Sequence, residues 1–377
     1  MLCSLDPMGS DHVRNTPRTR KSRDLRGRPA LSSQSRKRSA SSSSSSDSPL
    51  KEVCVSMDTS FRFPSGDYVL GTPVGHGANA TVYRAVRRSD NAAYALKLVP
   101  QPLRDVPLMI EAQFHSMQEV TAQMCCRHPN VMPLLEYRIV DMNDQLYLGM
   151  VIPLATITLH SLFASTSVRL DAHSLMQQLL EALAHCHHNQ VIHNDLKPDN
   201  LMITLRDDQP PLLQIADFGR ARIMMHPNTQ LRATNVDGST DSYRAPEIKL
   251  GYEHFDQAVD VWAAGCIFYQ MHQPQSQRLF AKAPRPDILT MFTQLVRLFG
   301  IAAVEEMLPL ATPSLVQQFR LELPTLRPLS NSDWAQTTAV FSTDACSVFS
   351  NACRANPASR YSCRQLLALP YFSLNTS

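Results

Sequence analysis

A chain of 377 residues with 44% hydrophobic content can bury a substantial core, as one large two-part domain or as two ordinary ones. Its net charge of +3, with much of the basic excess in the first fifty residues, is too small to imply a nucleic-acid partner. Nine Cys without repeated spacing and no secretory leader point to a reduced intracellular setting, and no apolar run reaches the ~20 residues of a membrane helix.

Residues 1–65 read as a disordered basic tail. The Ser41 to Ser46 run, several prolines and the Arg/Lys clusters between Arg18 and Arg38 leave few large apolar groups to offset the entropy of ordering. The basic clusters fit either a nuclear-import signal or a plain solvated tail, so the expected location is nucleus, cytoplasm or both. Order is expected from Gly66. Tyr68-Val-Leu and Thr81-Val-Tyr-Arg-Ala-Val alternate around Gly75-His76-Gly77-Ala78-Asn79-Ala80, predicting strand, glycine turn, strand. Ala93-Tyr-Ala-Leu-Lys97-Leu-Val predicts a further strand with one Lys among apolar neighbours. Such a Lys needs a carboxylate or a phosphate.

Residues 108–126 lack Pro and Gly and space their apolar positions as an amphipathic helix carrying two carboxylates, Glu111 and Glu119. The adjacent Cys125 and Cys126 at its end are expected to be small buried hydrophobes. From Asp171 a long periodic helix runs to His188. Its terminal His185, Cys186, His187 and His188 lack a second ligand pair at zinc-finger spacing, so a helix end explains them better than a metal site. The loop Val191-Ile-His193-Asn194-Asp195-Leu-Lys197-Pro-Asp-Asn200 then sets a carboxylate, an amine and an amide together. Asp195 can accept a proton from a hydroxyl, Lys197 can neutralise a phosphate in transfer, and Asn200 can hold a divalent metal. Phosphoryl transfer asks for this kind of positioning and charge stabilisation. Leu212-Leu-Gln-Ile-Ala-Asp217-Phe218-Gly219 predicts a strand ending in an acidic turn, with Asp217 placed to bind Mg²⁺ beside Asn200.

The 193–200 loop resembles the catalytic loop of eukaryotic protein kinases, H-R-D-L-x-x-x-N, with Asn194 where Arg is usual. The likeness covers roughly residues 66–373. Tyr243-Arg-Ala-Pro-Glu, Val259-Asp-Val-Trp-Ala-Ala-Gly-Cys-Ile-Phe and Leu295-Val-Arg-Leu-Phe-Gly300 are similar to the cyclin-dependent-kinase branch of the CMGC group. The resemblance implies an α+β bilobal fold, with a small antiparallel-sheet lobe at 66–152 and a larger helical lobe at 153–373. It implies ATP and Mg²⁺ as cofactors and Ser/Thr transfer onto protein substrates. By the same resemblance Val74, Gly75, His76, Gly77, Val82, Ala95 and Lys97 line the nucleotide site, with Glu119 as the partner of Lys97. Met150 then becomes the gatekeeper, Ile152 and Leu154 flank the hinge at Pro153, and Met202 closes the floor.

It also implies that Phe218 packs beneath the Glu119 helix, that Asp260 bonds the catalytic-loop backbone, that Arg360 pairs with buried Glu247, and that Thr240 bridges Asp195 and Lys197. Gln123 falls where an apolar residue is expected. The cyclin-contacting helix motif is absent, so a cyclin-like activator stays open. Gln118 and Asn194 replace two of three arginines that clasp an activation-loop phosphate, leaving Arg222; activity is therefore expected not to depend on phosphorylation at Thr234. Asp241 and Ser242, replacing Leu and Trp before Tyr243, argue against strict proline direction. The alternatives are a pseudokinase scaffold, or a cyclin-independent kinase that activates other cyclin-dependent kinases.

Overall fold

In the computed structural model the described residues are 59–77, 80–101, 106–164, 171–224, 231–232, 241–250, 252, 254–273, 276–280, 288–326 and 332–373. The expectations at Ala78, Asn79, Thr234, Thr240, the tail to residue 58 and the Glu111 side chain fall outside them.

Six antiparallel strands form the first sheet: β1 (Ser60–Phe63), β2 (Gly66–His76), β3 (Thr81–Arg87), β4 (Ala93–Pro100), β5 (Glu136–Met142) and β6 (Gln145–Pro153), in the order β1-β2-β3-β4-β6-β5. The chain is therefore ordered before Gly66, earlier than predicted. Ser60-Phe61-Arg62-Phe63 alternates, and both Phe rings are buried in the sheet's core with Tyr68, Leu70, Leu96 and Leu98. Turn chemistry fixes the hairpins. Asn143 and Asp144 both adopt positive φ, which suits a tight two-residue connection between β5 and β6. Between β3 and β4, Asp90 accepts the Ala92 N–H and pairs with Arg87.

One long helix, α1 (Val106–Cys125), follows β4. Cys126 is buried as expected, but Cys125 is exposed. Cys125 is the last residue of α1 and Cys126 lies just beyond it, so the two side chains leave the backbone in different directions. Gln123 is buried too, and its amide donates to the Met132 carbonyl at 2.8 Å. That bond removes the penalty of a polar side chain at an apolar position.

The rest of the chain is mostly helical. The short β7 (Ile157–Thr158) leads into α2 (Leu159–Ala164) and then α3 (Ala172–His188), whose N-cap Asp171 accepts the Ser174 N–H at 3.1 Å. Leu175, Met176, Leu179, Leu180, Leu183 and Cys186 form its buried stripe at helical spacing. After β8 (Val191–Ile192) come the hairpin strands β9 (Leu201–Arg206) and β10 (Gln209–Ile215), and then β11 (Arg222–Ile223), which pairs with β8. Helix α4 (Pro246–Lys249) precedes α5 (Ala258–His272), which is buried nearly all round, as its almost continuous apolar sequence requires. The remaining helices α6 (Ile288–Glu305), α7 (Pro313–Leu326), α8 (Ser332–Thr338), α9 (Thr343–Ala352), α10 (Cys363–Leu367) and α11 (Pro370–Ser373) complete the second lobe. Among the described residues no helix is long and apolar enough to cross a membrane.

Candidate active site

Strand register builds the first half of the site. Val82 lies opposite Lys97, Lys97 opposite Met150, and Ala95 opposite Ile152. Cross-strand partners share a sheet face, so Val82, Lys97 and Met150 form one row with Ala95 and Ile152 beside it. Met150 is fully buried against Val120 and Leu148, whereas Ile152 and Leu154 are half-buried where β6 runs out. On the glycine turn Val74 and His76 are exposed. A Cβ added at Gly75 or Gly77 would meet nothing nearer than 3.8 and 3.6 Å, so internal packing does not explain these glycines. They leave the backbone open to a ligand's close approach.

The Lys97 ammonium sits 2.5 Å from Glu119 Oε1 and 2.7 Å from Asp217 Oδ1. The structure thus joins α1, β4 and the turn after β10 at one cation, with Glu119 as the α1 carboxylate that meets it. Burial would lower the Lys97 pKa, but Asp217 and Glu119 outweigh it and raise it, so the amine stays charged. Burial would likewise raise Asp217, yet the ammonium holds its carboxyl down at about 2. Glu119 goes the other way. Burial and the neighbouring Asp217 carboxylate push it up by more than Lys97 pulls it down.

The second half is the loop after β8. Asn194 has φ +62°, a left-handed conformation that Asn tolerates better than most residues. Asp260, on the first turn of α5, fixes the loop from below, accepting the backbone N–H groups of His193 and Asn194, each at 2.8 Å. His193 is wholly buried. Its Nδ1 accepts the Asp195 N–H at 3.3 Å, so Nε2 carries the proton and donates to the Ala216 carbonyl at 3.0 Å. Its ring stands edge-on to Phe218 at 5.0 Å. Lys197 donates to Asp195 Oδ2 at 2.8 Å. The Asn200 amide donates to the Asp195 carbonyl at 2.8 Å and its Oδ2 at 3.1 Å. Asn200 in turn accepts the Ala216 N–H at 2.9 Å, which brings the loop of Asp195 against the turn of Asp217. Met202, the first residue but one of β9, pairs with Thr158 and is half-buried.

Two side chains that the sequence reading left without a role pin this framework. Asn130 donates to the Leu213 carbonyl at 2.9 Å and to Gln178 at 2.8 Å, and Gln178 accepts the Leu213 N–H at 2.9 Å. Together they clamp β10 at Leu213, four residues before Asp217. No local signal marks Gln178 for this role, since its partner Leu213 is 35 residues away.

The protein kinase domain profile matches residues 68–372. The chain belongs to the protein kinase family. The kinase is 32% identical over 310 residues to the cell division control protein 2 homolog 3 of Trypanosoma brucei brucei, covering 80% of this chain and 90% of that protein. It is 31% identical over 207 residues to cyclin-dependent kinase 7 of Dictyostelium discoideum, covering 54% of each. A solved MAP kinase from Leishmania major shares its fold, with a TM-score of 0.64 at 20% identity over 83% of this chain and 85% of that one. The kinase is a Ser/Thr protein kinase of the CMGC group with the expected bilobal α+β fold.

Proposed function

We propose that the kinase transfers the γ-phosphate of ATP to Ser or Thr hydroxyls of protein substrates in a Mg²⁺-dependent reaction. The carrying observation is the charged network itself: one ammonium held between Glu119 and Asp217, facing a loop whose Asp195 is held by Lys197 and Asn200. Lys97 stays charged and can bind α- and β-phosphate oxygens, with the open glycine turn above them. Asp195 takes the hydroxyl proton as the oxygen attacks, and Lys197 balances the charge on the transferring group.

The donor set fits Mg²⁺. The Asn200 nitrogen is committed to Asp195, leaving its carboxamide oxygen for a cation, and the ionised Asp217 adds a hard carboxylate oxygen. Few protein oxygens plus phosphate are what Mg²⁺ prefers, and when bound it supplies charge neutralisation at the phosphates. The test is phosphate transfer from labelled ATP to a protein acceptor by the purified chain. Asp195→Asn is expected to lower the rate by about 10²- to 10⁴-fold; equal rates in the two proteins would favour a binding scaffold.

A cyclin-like activator is part of the same proposal. Met117 and Met124 on α1 and Leu135, Tyr137 and Ile139 around β5 expose large apolar side chains, and Met124, Leu135 and Tyr137 line one groove. Full activity of the chain eluting alone as a monomer would overturn this part and favour the cyclin-independent reading. Nuclear or cytoplasmic residence belongs to the proposal too, and imaging of the tagged full chain with and without residues 18–38 tests it.

A further inference from the structure

Below the catalytic loop, a nucleophile, a base and an orienting carboxylate stand in line, and phosphate transfer uses none of the first two. Cys363, at the start of α10, places its Sγ 3.8 Å from His187 Nδ1. His187 Nε2 meets Asp260 Oδ2 at 2.9 Å. The carboxylate fixes the Nε2–H form of the ring, which leaves Nδ1 to take the thiol proton, the arrangement that activates a sulfur nucleophile. Burial lowers the imidazole, but the facing Cys363 sulfur and Asp260 outweigh it and raise it to about 10.

Cys363 is buried yet lines a cavity of about 200 Å³, whose wall includes the exposed His188 and Arg364. Gln190, on the same wall, has a side-chain oxygen that is buried without a hydrogen-bond partner. That oxygen is an acceptor for a small hydroxylic ligand. Asp260 also holds the backbone of His193 and Asn194, so three hydrogen bonds link the sulfur to the loop that carries Asp195.

We propose that Cys363 is a site of oxidation by hydroperoxides, and that its modification loosens the catalytic loop through His187 and Asp260. The thiol proton passes to His187. The sulfur attacks the terminal hydroperoxide oxygen, an S–O bond forms and the O–O bond breaks, and the leaving alkoxide or hydroxide takes the proton from His187. Sulfur gives up two electrons and the peroxide is reduced to an alcohol or water, leaving a sulfenic acid. The added oxygen must fit between Sγ and the imidazole, which displaces the ring that shares Asp260 with the loop.

The test uses the full purified chain with limiting hydrogen peroxide and dimedone as a trap, read by mass spectrometry. Cys363 is expected to be trapped at least tenfold faster than the exposed Cys125, and His187→Gln to remove that preference. Trapping at Cys125 first, or none at Cys363, overturns the site. If His187→Gln does not fold, Cys363→Ala decides. A peroxide dose that lowers the wild-type transfer rate fivefold, with the KM for ATP within twofold, is expected to leave Cys363→Ala within 1.5-fold of its untreated rate. Equal loss in both proteins, or trapping without loss, overturns the link to the loop. This activity arm rests on the proposed transfer reaction, whereas the trapping arm does not, so failure of one is distinguishable from failure of the other.

Discussion

Lys97 bonds to two carboxylates carried by different parts of the chain, 22 and 120 residues away. With both in place the buried ammonium is compensated; with one removed its charge and position are both set by the other. Glu119→Gln keeps the shape and deletes the charge, so Lys97 is expected to follow Asp217 alone and to present less well to phosphate. The expected loss in transfer rate is about 10²- to 10³-fold, the scale of a deleted electrostatic contact at a reacting group, and a change below fivefold in steady-state kinetics would contradict it. The same ion pair sets a pH dependence. Asp217 is held at about 2 in the folded chain against 3.8 for the free group, so its contribution to stability is present above pH 3.8 and disappears as pH falls through about 2. Lys97→Met should flatten that part of an acid-unfolding curve, and an unchanged curve would refute the assignment of the shift to Lys97.

Helix α5 works as the central post of the large lobe, and two contacts show how little slack it has. A Cβ built on Gly265 would lie 2.5 Å from Cys353 Sγ and 3.0 Å from Ala352 Cβ, both at the end of α9. Gly265→Ala is therefore expected to destabilise by about 1–3 kcal/mol through overpacking, and adding Cys353→Ala should return part of it in denaturant unfolding. A single variant as stable as wild type would show that α9 yields freely. Near the start of the same helix, Arg360 grips Glu247 through two bonds of 2.7 Å, donates to the Ala258 carbonyl at 2.9 Å and stacks over Trp262 at 5.1 Å. Both charged side chains are essentially inaccessible. Arg360→Met strands a buried carboxylate, with an expected cost of about 3–5 kcal/mol; Glu247→Leu in the same protein should recover most of that. If the double variant is no more stable than the single one, packing of the Arg stem outweighs the charge.

At the scale of the whole molecule, a phosphate on the segment before Tyr243 would order it only if cations stood ready to hold it. The positions that would supply cations are Gln118 on α1, Asn194 on the catalytic loop and Arg222 on β11. Asn194 instead turns its amide to the Arg220 carbonyl at 3.3 Å, and Arg222 donates to the carbonyls of Arg220 and Ala221. A loop phosphate needs several charge-assisted donors to order its surroundings. We therefore expect Thr234→Ala to keep its transfer rate within about twofold of wild type, the spread of a surface substitution; a silent variant would show that phosphate at Thr234 is required.

The loop from His193 to Asn200, the turn at Asp217 and the helix from Asp171 were legible in the sequence because each is specified within one short stretch. Spacing, caps and apolar period act over a few residues, and so does the chemistry of adjacent polar groups. Tertiary structure alone decided that Lys97 also meets Asp217, that Gln123 is paid for by the Met132 carbonyl, that Cys125 faces water while Cys126 does not, and that His187 stands between Cys363 and Asp260. Those pairings join residues up to 176 positions apart. No local period encodes such a distance, and only the packing of α3, α5 and α10 against one another brings the groups within bonding range.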